Sequence, residues 1–379
     1  MCNRPADEPF ASLTAVPVHP NVLWATSAEA ESAPRGDVSL ALCSGCGLIW
    51  NTSFDSAMLA YDADYENSLH FSEAFRRYSD ELVERLIATH ELRGKHVAEL
   101  GSGKGEFLAQ LCARAACTGI GFDPSYNGES DEAAGGRVRF VRELFGQDSD
   151  LVGADLVITR HVVEHLERPV DVLSSVRRTL DERNATLYVE VPAAEYLLEQ
   201  EAIWDIIYPH VSCFSAQALR GALERAGFKA QEHGYSFGDQ YLWVEASTEH
   251  GPAVLTAAAK DMLPRAVSQF ADRLAAKRDA WAERLPRLLG MGAVALWGAG
   301  AKGATFLNVI AGGEQVDAVV DVNLRKQGKY VPGTGQRIVD PSALVGRDLC
   351  AVIVMNPVYV PEIEQTLRDL EIQAEVVVA

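Results

Sequence analysis

The run Val97-Ala-Glu99-Leu-Gly101-Ser102-Gly103-Lys-Gly105-Glu-Phe-Leu joins a strand pattern to a helix pattern through closely spaced glycines. Without Cβ atoms there, a ligand can come close to the backbone and meet the N–H groups at the helix start. Many nucleotide folds use such a turn, so the spacing must say which ligand it takes. The dinucleotide fingerprint wants its third glycine three positions after the second, and position 106 is Glu. A second turn, Gly298-Ala-Gly300-Ala-Lys302-Gly303, satisfies that fingerprint better, with Asp321 ending the next strand. That turn raises an NAD-dependent oxidoreductase as one reading of the chain. The residues left after it, however, suffice for one mononucleotide-binding half and little more.

A third chemical feature is Cys43-x-x-Cys46 followed by glycine. Two thiolates three apart can hold one tetrahedral zinc ion, which needs two further ligands. Cys2 and His19 are the candidates, giving Cys2, His19, Cys43 and Cys46 as a closed, structural set. The alternative is a degenerate knuckle whose two thiols sit in an ordinary turn. Cys112, Cys117, Cys213 and Cys350 lie in apolar surroundings and read as core residues. Seven cysteines at these spacings describe no disulfide framework.

The elements that must position these residues alternate between strand and helix. Strands are expected at 96–100, 118–122, 138–141, 155–159, 186–191 and 241–246, with a helix over 106–114 after the first. Such alternation predicts an α/β, doubly wound parallel sheet. The organisation is a small module over 1–62, a core over 63–248, a helical linker over 249–290 and a second, smaller α/β domain over 291–379. The linker is Ala-rich and charged, without a strong apolar stripe of its own. In the last domain, strands are expected at 293–296, 316–321, 350–355 and 375–378.

Composition excludes some functions. A chain of 379 residues with net charge −19 would repel a phosphate backbone, so neither nucleic acid nor an anionic membrane is an expected partner. No apolar run approaches the roughly 20 residues of a membrane span, and the start lacks a signal-peptide pattern. A cytoplasmic location is the default expectation.

The pattern E-x-G-x-G-x-G at Glu99–Gly105 resembles the first motif of class I S-adenosylmethionine-dependent methyltransferases. The resemblance implies that Glu99, Gly101, Ser102, Gly103 and Gly105 cradle the methionine part of the cofactor. It also implies that Asp123, in Gly119-Ile-Gly-Phe-Asp123-Pro, accepts hydrogen bonds from the ribose hydroxyls. Glu143 would border the adenine. His161 and His165, in Asp155-Leu-Val-Ile-Thr-Arg-His161-Val-Val-Glu164-His165, fall in a segment similar to the family's fourth-strand motif, whose loop lines the substrate mouth; His161 is then counted with the cofactor-binding residues.

With knuckle, core and C-terminal domain in this order, the whole chain resembles the three-domain sugar C-methyltransferases, bacterial enzymes acting on carbon 3 of nucleotide-linked 4-keto-deoxysugars. The resemblance implies a Rossmann-like methyltransferase core, a zinc-knuckle-like N-terminal module and a Rossmann-like C-terminal domain that helps hold the substrate. Lys302, Gly300, Gly303, Asp321 and Lys329 are then substrate-binding, with Lys302 at a helix start suited to a diphosphate. In the run Ile207-Tyr208-Pro209-His210-Val-Ser-Cys213, His210 matches the family's proposed base. Pro209 stands where that family has an acid, and Ile207 where it has a tyrosine. Carbon methylation beside a ketone needs a base with a pKa near 7. His210 is the candidate, with His165, Tyr65 and Tyr208 orienting the acceptor. The cofactor is S-adenosylmethionine, and the partner a small molecule. The rival readings are an O- or N-methyltransferase of a natural-product or sugar scaffold, which would need no enolate, and a non-catalytic binding protein.

Overall fold

The computed structural model describes residues 7–59, 65–128, 130–145, 151, 153–180, 185–249 and 262–379. Its central sheet has eight strands in the order Lys229–Ser236, Tyr241–Ser247, Thr186–Pro192, Leu156–Arg160, His96–Leu100, Thr118–Phe122, Val138–Val141 and Glu132–Ala133. The run from Thr186–Pro192 to Val138–Val141 is parallel, and Tyr241–Ser247 and Lys229–Ser236 return antiparallel at one edge. The apolar runs of the central strands suit burial on both faces. Helices Glu73–His90 and Glu106–Ala115 cover one face through Leu82, Leu86, Leu108 and Leu111. Pro169–Thr179 and Ala216–Arg225 cover the other through Leu173, Val176, Leu219 and Leu223.

After His96–Leu100 the chain first adds Thr118–Phe122 on one side and later Leu156–Arg160 on the other. That reversal opens a crevice at the carboxyl ends of these strands, where doubly wound sheets take their ligands. The strand Lys229–Ser236 was not expected. It is a largely exposed edge strand, and its residues lack the apolar alternation that betrays a half-buried one.

Ala11–Pro17, Arg35–Leu42 and Ile49–Asn51 form an antiparallel sheet in the N-terminal module. Its fourth strand, Ser212–Cys213, comes from the core and pairs with Ile49 and Trp50. The module therefore holds the segment that carries His210.

The helix Met262–Met291 corrects the reading of the linker. Val267, Phe270, Leu274, Trp281, Leu285 and Leu288 are buried along one face. Their spacings of three, four and seven form an apolar stripe that the intervening Ala, Arg and Lys residues obscured. This stripe lies in one core with Val16, Val38 and Leu40 of the N-terminal sheet and Leu296 and Phe306 of the C-terminal domain. The helix is thus a seam between units rather than a linker without an apolar stripe of its own.

The C-terminal domain has five parallel strands in the order Ile338–Val339, Ala318–Val320, Ala293–Trp297, Leu349–Val354 and Glu375–Val378. It meets the core through polar contacts. The Gln240 and Asn356 amides bond reciprocally at 2.8 and 2.9 Å, and the Glu362 carboxylate accepts from Ser72 at 2.7 Å and Ala74 N at 3.0 Å. Among the described residues no helix is long and apolar enough to cross a membrane.

Candidate active site

Both Gly-rich turns open into one cavity of about 770 Å³. At the first turn, Gly101 and Gly105 need left-handed backbone, and each is also packed closely. A Cβ on Gly101 would lie 2.1 Å from Val162 Cγ2, and one on Gly105 2.3 Å from Phe140. Gly103 differs: φ is +55°, yet no protein atom lies within 4 Å of a Cβ built there. A side chain at Gly103 would meet only the ligand's space. Asp123 stands at the end of the next strand and accepts from Gly103 N at 2.7 Å and from Ser125 N and Oγ at 2.8 and 2.7 Å. A carboxylate offers about four lone-pair sites, so acceptor capacity remains for hydroxyls.

Glu99 lines the same cavity, almost fully buried, and its Oε2 has no hydrogen-bond partner. Burial lifts its pKa to about 7, with Arg160 pulling it down and Asp123 pushing it up. An open cradle beside Gly103, an acceptor at Asp123 and an orphaned carboxyl oxygen at Glu99 fit a nucleoside that bears an amino-acid ammonium group. Ser102 also lines the cavity. Glu143 does not: it is exposed, and Leu144 and Phe145 supply the wall beside it. Exposed and outside the cavity lining, Glu143 does not take the place at the adenine expected of it.

The other end of the cavity collects the histidines. His161 ends the strand Leu156–Arg160 in left-handed backbone, and its ring meets Tyr241 edge-on at 4.4 Å. Its nitrogens lie 3.6 Å from Glu164 Oε1 and 3.4 Å from Glu190 Oε1. Burial pulls its pKa down, but bonding to Glu164 and Glu190 outweighs that and raises it to about 9. The turn Val163–His165 brings Glu164 and His165 to the cavity wall. His165 Nδ1 bonds the Pro209 carbonyl at 2.8 Å, and its ring faces His210 with centroids 5.1 Å apart. Burial, reinforced by His165, holds His210 down to about 3, well below the near-neutral base anticipated. Tyr65 lines the cavity too; Asn21 Nδ2 donates to its hydroxyl at 3.4 Å, and burial raises its pKa.

Tyr208 is not at the acceptor end. It is buried against the N-terminal module, where its hydroxyl accepts from Asp55 N at 2.9 Å and its ring fills the space beside Gly36. Cys213, expected in the core, packs against it and also helps line the cavity.

Below the histidines lies a charge network that motif spacing did not reveal. Glu190, fully buried, accepts from Arg160 Nε at 3.0 Å, from the Tyr188 hydroxyl at 2.9 Å and from the Tyr78 hydroxyl. Burial alone would raise its pKa, but the Arg160 charge holds it far below the usual carboxylate range. Arg160 and Glu190 sit on adjacent parallel strands, thirty positions apart, and only the sheet register aligns them.

At the second turn, Asp321 accepts from Ala299 N at 3.0 Å and Asn323 N at 2.8 Å, repeating the bonding of Asp123. Gly300, Lys302 and Asp321 line the cavity. Lys302 Nζ lies 2.9 Å from Asp205 and donates to Gln240 at 3.0 Å. Gly303 and Lys329 do not line it. A Cβ on Gly303 would lie 2.1 Å from the Gly298 carbonyl, so that glycine lets the helix approach the strand. Lys326, buried beside Asp321, takes the place expected of Lys329.

Cys43 and Cys46 are buried in a knuckle-shaped turn, where Gly47 N reaches the Cys43 carbonyl at 2.8 Å and Asp7 accepts from Ser44 N at 3.1 Å. Among the described residues, His19, Cys43 and Cys46 are not gathered into one group with metal-ligand spacing. Cys2 lies outside the described residues.

Comparison with known proteins agrees with this geometry. A family model described as a methyltransferase domain matches residues 70–233, and one described as a C-methyltransferase C-terminal domain matches residues 257–378. The C-methyltransferase NovU of Streptomyces niveus is 29% identical over 312 residues, covering 76% of this chain and 72% of that protein. Among solved structures, magnesium protoporphyrin IX methyltransferase ChlM from Synechocystis PCC 6803 with bound SAH aligns with 49% of this chain and 90% of its own. Its identity is 19% and its TM-score 0.39, too loose a likeness to argue from. The strand order, the turn at Gly101–Gly105 and the two matched segments make this chain an S-adenosylmethionine-dependent methyltransferase of the class I fold.

Proposed function

We propose that the chain methylates a carbon beside a ketone in a small molecule, and that a nucleotide-linked keto-sugar or a related intermediate is the acceptor. The observation that carries this reading is the single cavity. It runs from Gly103 and Asp123, past Tyr65, His165 and His210, to Lys302 and the second Gly-rich turn. Such a space suits three parts in sequence: the cofactor, a polar acceptor and an anionic handle at a helix start. The relative NovU is itself named a C-methyltransferase.

S-adenosylmethionine, held by Gly103, Asp123 and Glu99, supplies an electrophilic methyl group. The chain's own task is to orient the acceptor in line and exclude water. His210 is the proposed acceptor of the α-proton. It is unprotonated across the physiological range, as a base must be, but weak. Its use therefore requires polarisation of the ketone oxygen, to which the Tyr65 hydroxyl, held protonated, is suited.

The test is α-proton exchange in deuterated water with a panel of nucleotide-linked 4-keto-sugars and S-adenosylhomocysteine. His210→Ala should keep cofactor affinity and stop exchange. Exchange at the wild-type rate in that variant removes His210 as the base. The weakness of His210 keeps a second reading in play, methylation of an oxygen or nitrogen, which needs no enolate. Mass spectrometry of the product separates the two.

A further inference from the structure

Residues 65–72 run along the cavity wall where the core meets the C-terminal domain, and Tyr65, Ser68 and Phe71 line the cavity from this segment. Glu66, the residue after Tyr65, is absent from that lining and 2% exposed. Its Oε1 accepts from Asn323 Nδ2 and from Ser68 N, both at 3.1 Å, and its Oε2 from Arg325 Nη1 at 3.3 Å. Asn323, equally buried, is fixed in turn. Its Oδ1 accepts from Arg325 N at 2.9 Å, its N donates to Asp321 at 2.8 Å, and its Nδ2 reaches Ser68 O at 3.3 Å as well as Glu66. A backbone N–H can only donate and a carboxylate can only accept, so these partners set the orientation of the Asn323 amide.

The second observation is what else holds this stretch of backbone. Tyr65 forms a bridge with Val22, and Glu66 N donates to Asn21 O at 2.9 Å, so the N-terminal module grips the same two residues. Arg325 also lies over the Phe71 ring, 5.5 Å from its centroid, in the same segment. A buried carboxylate is a costly way to join two domains, since well-packed apolar side chains of similar volume often serve stability as well or better. Its bonds add direction. They fix the position of the carboxylate and of the backbone that carries it, one residue from Tyr65.

We propose that Glu66 is a positioning residue: clasped by Asn323 and Arg325 of the C-terminal domain, it sets the Tyr65 hydroxyl where the acceptor's oxygen lies. The C-terminal domain thereby takes part in setting the reacting geometry. The proposal rests on the role given above to Tyr65 and deepens it. Glu66 itself is set back from the cavity and transfers no proton; it acts through its neighbour. The clasp needs no acceptor to form, so it can be read apart from the substrate assignment.

The test uses the full chain with a ring-fluorinated tyrosine at position 65, read by fluorine NMR without acceptor, in wild type, Glu66→Ala, Asn323→Ala and Glu66→Gln. The last keeps an oxygen that can accept from Asn323 and Ser68. One resonance in wild type and Glu66→Gln, shifted or divided in the two alanine variants, is the result expected. An unchanged resonance in all four overturns the proposal. In steady-state methyl transfer to a nucleotide-linked 4-keto-sugar, Glu66→Ala should lower kcat by roughly 10- to 100-fold with KM little changed, the range in which an ångström of misplacement is felt. Glu66→Gln should restore most of that loss, and in a Tyr65→Phe background Glu66→Ala should cost nothing further. An equal loss in both backgrounds overturns the proposal, because Glu66 then acts elsewhere. Turnover of Tyr65→Phe at the wild-type rate instead refutes the role of Tyr65, and this proposal falls with it. If no such sugar turns over, the function proposed above fails, and the resonance decides the clasp by itself. Should the alanine variants misfold, Arg325→Ala, whose side chain is 46% exposed, replaces them and should move the resonance in the same way.

Discussion

Replacing Gly103 by alanine isolates the cofactor cradle from the stability of the turn. Gly103 has φ +55° with no protein atom within 4 Å of a Cβ, and Gly94, in a turn remote from the cavity, has φ +73° with the same open space. An L-residue in left-handed backbone costs about 1–2 kcal/mol, so Gly103→Ala and Gly94→Ala should each lower stability by that amount. For a domain of this size the loss appears as roughly 2–8 °C in melting temperature. Only Gly103→Ala should also harm the cofactor, because its methyl enters the space beside Asp123. Overpacking of a fitted site costs about 1–3 kcal/mol. That corresponds to a roughly 5- to 150-fold weaker Kd for S-adenosylhomocysteine, read by titration calorimetry. Gly94→Ala should bind as wild type does. Equal affinity in the two variants would refute the assignment of the open cradle to the ligand.

Two further outcomes follow from the buried polar groups. Glu190→Gln leaves Arg160 without its charge partner and should cost about 3–5 kcal/mol in urea unfolding. Because the Glu190 pKa is depressed in the folded chain, its contribution is complete above the unfolded value of about 4.3 and is lost as pH falls below that toward the folded value. Wild-type stability should therefore drop with acid more steeply than that of Glu190→Gln. Tyr208→Phe removes the acceptor of Asp55 N and should cost about 1–3 kcal/mol while turnover stays unchanged. A large loss of turnover with no change in stability would return Tyr208 to the acceptor site.

What the sequence made legible was local. His96–Leu100, Thr118–Phe122 and Val138–Val141 fall at the expected bounds, because short stretches rich in apolar residues, set between helix and turn patterns, mark strands well. The Gly101–Gly105 turn was readable because its glycines fall in one short segment, and Asp123, twenty positions from Gly103, because it follows the end of the next strand. Tyr208 was misplaced because a motif gives the order of side chains but not the direction each points. Pairing of Ser212–Cys213 with the N-terminal sheet turns Tyr208 away from the cavity and leaves His210 facing it. Lys326 and Lys329 are likewise three positions apart in one loop, and only the fold decides which reaches Asp321. The Arg160–Glu190 pair and the buried Glu164 carboxylate beside His161 depend on sheet register and burial, which spacing does not encode.

The cofactor claim is tested most directly by calorimetry of the purified full chain with S-adenosylhomocysteine and, separately, with NAD. One saturable site for S-adenosylhomocysteine, lost in Asp123→Ala, with no heat from NAD, is the outcome expected of the pocket beside Gly103. Saturable binding of NAD with no binding of S-adenosylhomocysteine would contradict it.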